Sequence, residues 1–281
     1  TLRSRGLGDV YKRQPYNSRS ATLLEGEIEL EAIENALVNL IWRHEALRTQ
    51  FVLSGDMPAQ KFREQFDFKL HFHDLSGTQE PRAEADNLMQ QLGDATFDLE
   101  NDMLFRAHLV KLAENQHILF VAMPHIITDG WSISVLLKDF FTLLAEQYAK
   151  NETYTTPLPI QYKDFVAWQT AQLLDEEKMS KHREYWCEKL GGEQPVINLH
   201  GETERPPLKT NEGASYLFPL TEKQSHGLTA LSNKAGVTVF MTLVALVKTV
   251  LHKYSGDEDI VIGTPLAGRS HKDLEDQAGL Y

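Results

Sequence analysis

The sequence predicts a mixed α/β fold, because segments with strand-like and helix-like apolar spacing alternate along it. Near the start, an apolar alternation over 21–28 precedes helical spacing over 30–47, and a strand-like stretch follows at 48–53. Farther on, the continuously apolar run at 118–123 is typical of a strand covered on both faces, and helical spacing over 131–148 follows it. With 281 residues, 42% of them hydrophobic and 24% charged, the chain is long enough for one large or two ordinary globular domains.

The other elements of the first region continue this alternation. Strands are predicted at 69–72 and 104–112, and a helix at 80–92 has a proline in its first turn. Residues 113–116 separate two β-rich runs and form a predicted hairpin turn into the strand at 117–123.

The second region is predicted to contain more helices than strands. A polar, proline-marked loop at 151–159 introduces it. The predicted helices lie at 162–174, 177–190, 222–234 and 237–252, the predicted strands at 215–220 and 259–264, and an irregular connection at 193–213.

The chain is expected to have three parts. Residues 1–14 lack an initiator methionine and any apolar period, so we interpret them as a non-native, adaptor-derived segment. We expect one lobe over 15–176, and a connecting helix with the start of a second lobe over 177–281. The second region has few residues for a hydrophobic core of its own, and the last residues resemble a helix or strand interrupted midway. We therefore expect the chain to be a fragment of a longer domain.

Composition excludes several classes of partner and location. The net charge of −12 opposes binding to nucleic acid or to an anionic membrane surface. The single cysteine, Cys187, cannot form an internal disulfide, which favours a reducing cytoplasm. No uninterrupted apolar run is long enough to predict a membrane span. Because no zinc-ligand spacing and no phosphate-binding loop is present, no metal and no tightly bound cofactor is expected.

One short motif carries candidate chemistry. His125 follows the buried strand, at the rim of a sheet where a cleft can form, and an ordinary imidazole with a pKa of about 6.5 accepts a proton near neutral pH. Asp129 can hold the same loop through an ion pair. Gly130 allows a substrate or another backbone segment to approach closely. From spacing alone, a structural histidine beside a turn aspartate is the stronger interpretation.

Five stretches in order resemble the condensation domains of nonribosomal peptide synthetases, which take part in antibiotic and other secondary-metabolite biosynthesis. HIITDGWS at 125–132 is similar to the family's HHxxxDG motif, and RHEALRTQF at 43–51 to its RHExLRTxF motif. The others are FDL with LFRA at 97–107, YKDFVAWQ at 162–169 and GDEDIVIGTPLAGR at 256–269. The resemblance covers residues 16–281 almost without a gap.

The resemblance implies a fold and a reaction. The family has two lobes, each like chloramphenicol acetyltransferase, around a tunnel. Two peptidyl carrier domains, upstream and downstream, deliver substrates on phosphopantetheine arms, and an adenylation domain adjoins them. The downstream aminoacyl amine attacks the upstream acyl or peptidyl thioester and forms an amide. The family usually continues well beyond residue 281, so this chain is expected to be inactive alone.

The resemblance also assigns roles to individual residues. His125 stands at the second histidine of the motif, where it orients the attacking amine and takes its proton. Gly130 offers a backbone N–H to the oxyanion, and a turn glycine with positive φ is the equally weighted alternative. Asp129 is expected to support the site structurally by pairing with Arg269, with Arg43 as the alternative partner.

Other motif residues are interpreted as structural. Helical spacing within YKDFVAWQ favours packing over substrate contact. Three histidines without a visible partner are interpreted as non-catalytic: His44, His108 and His117.

One departure from the family pattern keeps alternative functions open. Pro124 replaces the first motif histidine, and proline removes a backbone donor and fixes φ. One alternative is a catalytically degenerate module that binds carriers or recruits a tailoring enzyme. Another is a related acyltransferase that forms esters or uses CoA. Retention of His125, Asp129 and Gly130 favours the condensation reaction.

Overall fold

The computed structural model describes residues 17–149, 155–197, 199 and 216–281. Its described residues form two compact units. The first contains those up to Asp175 together with Ala267–Tyr281, and the second contains those within Glu176–Leu266.

The first unit contains six strands and four helices among its described residues. The strands are β1 (Asn17–Glu25), β2 (Thr49–Ser54), β3 (Met57–Phe62), β4 (His71–Asp74), β5 (Arg106–Ala113) and β6 (Gln116–Pro124). The helices are α1 (Leu30–Arg43), α2 (Pro81–Asp94), α3 (Gly130–Ala149) and α4 (Tyr162–Leu173). Short 3-10 turns lie at Glu45–Arg48, His125–Ile127 and Lys272–Leu274.

Four of the strands form the main sheet, in the order β1-β6-β5-β4. Strands β1, β6 and β5 are antiparallel neighbours, whereas β4 is parallel to β5. Strand β6 is buried along almost its whole length, as its apolar run predicts, because sheet neighbours and helices cover it. The hairpin β2–β3 forms a separate sheet.

Helices α1 and α3 pack against each other and cover the sheet. Their apolar residues recur at helical spacing, so one side of each helix enters the core. The buried positions include Ile33, Leu37, Leu40 and Ile41 on α1 and Leu136, Phe140 and Leu143 on α3. This packing fixes helix α3, which directly follows the HIITDG turn.

The second unit contains three helices among its described residues: α5 (Glu176–Leu190), α6 (Glu222–Ala235) and α7 (Val239–Ser255). The hydroxyls of Thr221 and Thr238 cap the N-termini of α6 and α7. Gly236 and Gly256 end these helices with positive φ, a conformation that glycine adopts without a Cβ penalty. No helix in the described part of the chain could cross a membrane alone; α6 and α7 together meet the length and composition, but they are bent by 102°.

Several sequence predictions need correction. The described residues of the predicted strands at 215–220 and 259–264 have no regular secondary structure. Apolar character alone did not make them strands. Among the described residues of the second unit, there is no neighbouring strand whose backbone groups could hydrogen-bond with theirs. The predicted strand at 69–72 lies at His71–Asp74, since Leu70 N–H donates instead to Glu34.

Two further differences concern organisation. Strand β3 was not predicted; it pairs with β2 across a turn in which Gly55 has φ 64°. Residues 267–281, which the sequence analysis grouped with the second region, pack with the first unit. The expected non-native segment 1–14, residues 151–154 of the loop at 151–159, and most of the connection at 193–213 lie outside the described residues.

Three histidines gather where β4 pairs with β5. His73 Nε2 lies 3.1 Å from His108 Nδ1, and the His71 ring stacks on that of His108 at 4.9 Å between centroids. Burial lowers the pKa of His108 to about 4, and repulsion from His71, His73 and Arg106 adds to the effect. The His108 ring is therefore neutral at neutral pH.

This cluster predicts an acid-sensitive first unit. Between pH 6.5 and about 4, the unfolded chain binds a proton at residue 108 that the folded chain does not bind, so stability falls as the pH falls. His108→Gln removes this proton and should make the pH dependence of the unfolding free energy shallower, by up to about 1.4 kcal/mol per pH unit. Denaturant titrations from pH 7 to 4 measure the slope. The exposed His182→Gln is the control, and an unchanged slope for His108→Gln would contradict the assignment.

Candidate active site

The motif residues occupy a short turn between the central strand β6 and helix α3. Pro124 ends β6, residues His125–Ile127 form the 3-10 turn, and α3 begins at Gly130. The turn is closed by a bond from Thr128 N–H to the His125 carbonyl at 3.2 Å. The Asp129 carboxylate accepts the Ser132 N–H at 2.8 Å, which satisfies one of the free donors at the start of the helix.

The His125 side chain is exposed, while Pro124, Ile127 and Thr128 around it are buried. Its imidazole therefore does not lie in the hydrophobic interior, the placement that would have excluded a catalytic role. Among the described residues, the His125 ring has no hydrogen-bond partner.

Gly130 is the first residue of α3 and is exposed. Its φ is not positive, and a Cβ placed there would contact no atom within 4 Å. The alternative of a turn glycine with positive φ is therefore wrong. Neither backbone strain nor neighbouring protein atoms require glycine here, and the N–H belongs to the helical N-terminus, where partial positive charge favours anions.

Asp129 forms a bidentate ion pair with Arg269, the first of its two predicted partners. Arg269 Nη1 lies 2.8 Å from Asp129 Oδ2, and Nη2 lies 3.1 Å from Oδ1. The Arg269 side chain is 1% exposed and the Asp129 side chain is 14% exposed, so solvent screens the attraction between the two charges only weakly. Burial opposes ionisation of Asp129, but hydrogen bonds from Arg269 and Ser132 outweigh it and lower the pKa of Asp129.

The guanidinium of Arg269 is enclosed by the segment that carries it, residues 267–281. Arg269 also donates to the carbonyls of Ala267 and Gln277, and its guanidinium carbon lies 4.1 Å from the centre of the Tyr281 ring. Burial raises the pKa of Tyr281, which keeps the phenol neutral. Gly268 has φ 71°, and a Cβ there would clash with Tyr281, so glycine is required beside the arginine.

Arg43 does not pair with Asp129. Its Nε lies 2.6 Å from Asp139 Oδ2 on α3, and His44 Nε2 lies 2.8 Å from the same oxygen. Burial lowers the pKa of His44, although its bond to Asp139 acts in the opposite direction. Arg43 also donates to the carbonyl of Thr156. The alternative partner proposed from the sequence is therefore wrong, because a closer carboxylate on α3 is available to Arg43.

Of the YKDFVAWQ residues on α4, Phe165 is buried, Tyr162 and Val166 are half-buried and the other five are exposed. Phe165 is buried and its ring lies 4.5 Å from that of Tyr281, while the Tyr162 hydroxyl donates to the carbonyl of Leu280. Asp164 accepts the Gln161 N–H at 2.8 Å and so caps its own helix. Trp168 is 54% exposed and contacts Phe165.

Comparison with known protein families identifies the family to which the chain belongs. The model of the condensation domain family matches residues 11–281. The chain belongs to the condensation domain family. The match begins at residue 11, inside the segment 1–14 that the sequence analysis set aside.

Curated relatives of this condensation domain are peptide synthetases. The chain is 37% identical over 266 residues to gramicidin S synthase 2 of Aneurinibacillus migulanus, covering 95% of this chain and 6% of the synthase. It is 36% identical to surfactin synthase subunit 1 of Bacillus subtilis (strain 168), covering 95% of this chain and 7% of the subunit. The chain therefore spans only a small fraction of the curated relatives it matches.

Solved structures confirm the predicted mixed α/β, chloramphenicol-acetyltransferase-like fold class. The X-domain from teicoplanin biosynthesis matches with a TM-score of 0.80 and 25% identity over 96% of this chain and 60% of that one. The first condensation domain of the CDA synthetase matches with a TM-score of 0.78 and 17% identity, over 98% and 65% of the two chains.

Sequence reasoning missed two residues of this condensation domain that the structure brings to the motif. Ser132 lies two residues after Gly130, the last residue of the HHxxxDG pattern, and its hydroxyl contacts Asp129 and Gly279. Asp139 is the partner of Arg43. The position of Ser132 next to the motif was a usable signal, whereas no local pattern links Asp139 to α1. In the described part of the chain, no cluster of histidine, cysteine and acidic side chains is arranged to hold a metal ion.

The Asp129–Arg269 pair predicts a large stability difference between two aspartate substitutions. Asp129→Asn leaves a buried guanidinium without its counter-charge and should lower the unfolding free energy by about 3–5 kcal/mol. Asp94→Asn removes the exposed partner of Arg19, where the two side chains are 60% and 36% exposed, and should lower it by less than about 1 kcal/mol. Denaturant unfolding at pH 7 compares the two. Equal losses would show that the Asp129 pair behaves as a surface pair.

Proposed function

We propose that the chain carries catalytic residues of an active site that forms an amide bond between two carrier-bound substrates. The amine nitrogen of a downstream aminoacyl group bonds to the carbonyl carbon of an upstream acyl or peptidyl thioester. The C–S bond then breaks, the upstream arm keeps its thiol, and the amine loses a proton. The observation that carries the proposal is the exposed imidazole of His125, which lies between β6 and α3 of a condensation domain and has no hydrogen-bond partner among the described residues.

His125 orients the attacking amine and accepts its proton as positive charge develops on nitrogen. A free α-amino group has a pKa of about 7.7–8.0, so part of the substrate is already neutral at pH 7. The imidazole therefore acts during bond formation and need not strip a resting ammonium. The tethered arms hold the two reactants together, which supplies a further part of the rate.

The N-terminus of α3 stabilises the negative charge that develops on the thioester oxygen. The Gly130 N–H lies at the positive end of a 20-residue helix, where partial positive charge favours an anion. Oriented N–H groups of this kind stabilise the oxyanion of a tetrahedral intermediate. Gly130 and His125 are thus proposed as catalytic residues on one turn.

Asp129, Arg269 and Arg43 support the site without touching the substrates. Asp129 and Arg269 hold the beginning of α3, and Arg43 holds its middle through Asp139. Each pair joins α3 to a different part of the first unit. The turn that carries His125 therefore meets the substrates as a fixed element.

The partners follow from the proposed reaction. Upstream and downstream peptidyl carrier domains deliver the substrates on phosphopantetheine, and an adenylation domain loads one of them. The matched relatives are synthetases much longer than this chain, which supports such neighbours. The proposed reaction requires no tightly bound cofactor, nucleic acid or membrane. We propose the cytoplasm as the location of the protein.

Substitution of His125 tests the reaction. In the intact synthetase polypeptide with both carriers loaded, His125→Ala should lower the rate of peptide transfer by about 10²–10⁴-fold, because proton acceptance and amine orientation are lost. Product on the downstream carrier is quantified by mass spectrometry. The exposed His226→Ala on α6 is the control and should transfer at the unsubstituted rate. Transfer by His125→Ala within twofold of that rate removes the assigned role.

A second candidate is a non-catalytic module that recruits a partner enzyme. Pro124 in place of the first motif histidine favours it. It is also supported by structural similarity to the teicoplanin X-domain, which has been solved in complex with OxyB and matches this chain with 23% identity and a TM-score of 0.75. The higher identity to synthetases, 37%, supports the condensation reaction instead.

One assay separates these candidates and the related acyltransferases. The intact polypeptide and its Pro124→His variant are supplied with a loaded upstream carrier and with amine, hydroxyl or CoA-linked partners. We expect transfer to the carrier-bound amine by the unsubstituted protein. Failure of both forms to transfer to any acceptor, with loading verified by mass spectrometry, would favour the recruitment module. Preferential transfer to hydroxyl or CoA partners would favour the acyltransferases.

A further inference from the structure

A serine hydroxyl lies fully buried at the crossing of α3 and the 267–281 segment. Ser132 is the third residue of α3, and it is 0% exposed. Its hydroxyl points into the contact between the motif turn and a segment more than a hundred residues away.

The hydroxyl uses its whole hydrogen-bonding capacity. The Ser132 Oγ donates to Asp129 Oδ1 at 2.7 Å, since the carboxylate is a stronger acceptor than the Gly279 carbonyl at 2.9 Å. It accepts from the Gly279 N–H at 3.1 Å and from Arg269 Nη2 at 3.0 Å. A hydroxyl has one proton and two acceptor sites, so no capacity is left over.

Gly279 can reach this hydroxyl only because it has no side chain. A Cβ at residue 279 would overlap the ring of Tyr162 on α4. The backbone of the 267–281 segment is therefore wedged between α3 and α4, with Ser132 on one side and Tyr162 on the other. The Tyr281 N–H adds a longer bond to Asp129 Oδ2 at 3.4 Å.

The same hydroxyl also controls the beginning of α3. Asp129 Oδ1 accepts both the N–H and the hydroxyl of Ser132, so the helix cap and the segment contact share one carboxylate oxygen. His125 lies on the turn immediately before this cap. A shift of the cap therefore moves the imidazole together with the Gly130 N–H.

We propose that Ser132 is a positioning residue of the condensation reaction. It touches neither substrate nor reacting atoms; it locks the His125 turn and the 267–281 segment into one geometry through Asp129. This inference rests on the proposed function. Because a displacement of about 1 Å at a reacting group can lower a rate by about 10²-fold, loss of the hydroxyl should reduce turnover more than binding.

The test compares two serines of the same helix in the intact synthetase polypeptide. Ser132→Ala removes the buried hydroxyl, and Ser134→Ala removes an exposed one two residues later. With both carriers loaded, Ser132→Ala should lower kcat by roughly 10- to 100-fold and leave KM for each carrier within about twofold. Ser134→Ala should change neither. Rates are divided by the folded fraction, measured by circular dichroism at the assay temperature.

A structural readout accompanies the rate. Hydrogen exchange followed by mass spectrometry should be faster in peptides covering 276–281 in Ser132→Ala, because Gly279 N–H has lost its acceptor, and unchanged in Ser134→Ala. Ser132→Cys keeps the volume and weakens the hydrogen bonds. It should give an intermediate kcat, and it replaces Ser132→Ala if that variant does not fold.

The outcomes separate this inference from the proposed function. A kcat for Ser132→Ala, or for Ser132→Cys in its place, within twofold of the unsubstituted value overturns the positioning role while His125→Ala remains impaired. A fall in rate that disappears after correction for the folded fraction also overturns it, because the effect is then on stability alone. Normal transfer by His125→Ala would instead refute the catalytic assignment on which the inference depends.

Discussion

The site depends on one buried ion pair, between Asp129 and Arg269. Its carboxylate caps the helix that follows His125, and its guanidinium comes from a segment 140 residues farther along the chain. A guanidinium that is 1% exposed is stable only when its charge is matched by a carboxylate close to it. The pair therefore orders the helix cap and the distant segment together, and neither reaches its observed geometry without the other.

A second buried charge cluster holds α3 farther along its length. Asp139 faces Arg43 and His44 at the end of α1, so α3 is tied to α1 at its middle and to the 267–281 segment at its start. Hydrogen bonds on Asp139 outweigh the effect of burial and lower its pKa, so both carboxylates on this side of the helix stay ionised at neutral pH. In contrast to these paired groups, the His125 ring is exposed.

Local patterns predicted most of the first unit. Helical spacing over 131–148 anticipated α3 within a few residues, and the apolar run at 118–123 anticipated the buried strand β6. The errors have a common cause. The run at 259–264 has the composition of a strand but no pairing partner among the described residues. Strand β3 (MPAQKF) contains proline, alanine and lysine, which are depleted in strands, but it has a partner in β2. Strand formation depends on the neighbour as well as on the segment, so composition alone is an incomplete guide.

What the sequence by itself determined is the class of fold, the family and the identity of the motif residues, because these follow from short-range spacing and from motifs read in order. The tertiary structure decided which charges meet. From the sequence, either Arg43 or Arg269 could neutralise Asp129. The packing of α1 against α3 places Arg43 beside Asp139, so that Arg269 is the residue that pairs with Asp129. The tertiary structure also decided that Ser132 is buried, because the backbone of Gly279, far away in the chain, lies against its hydroxyl. Contacts across such distances leave no periodic signal, and the folded chain alone brings their members together.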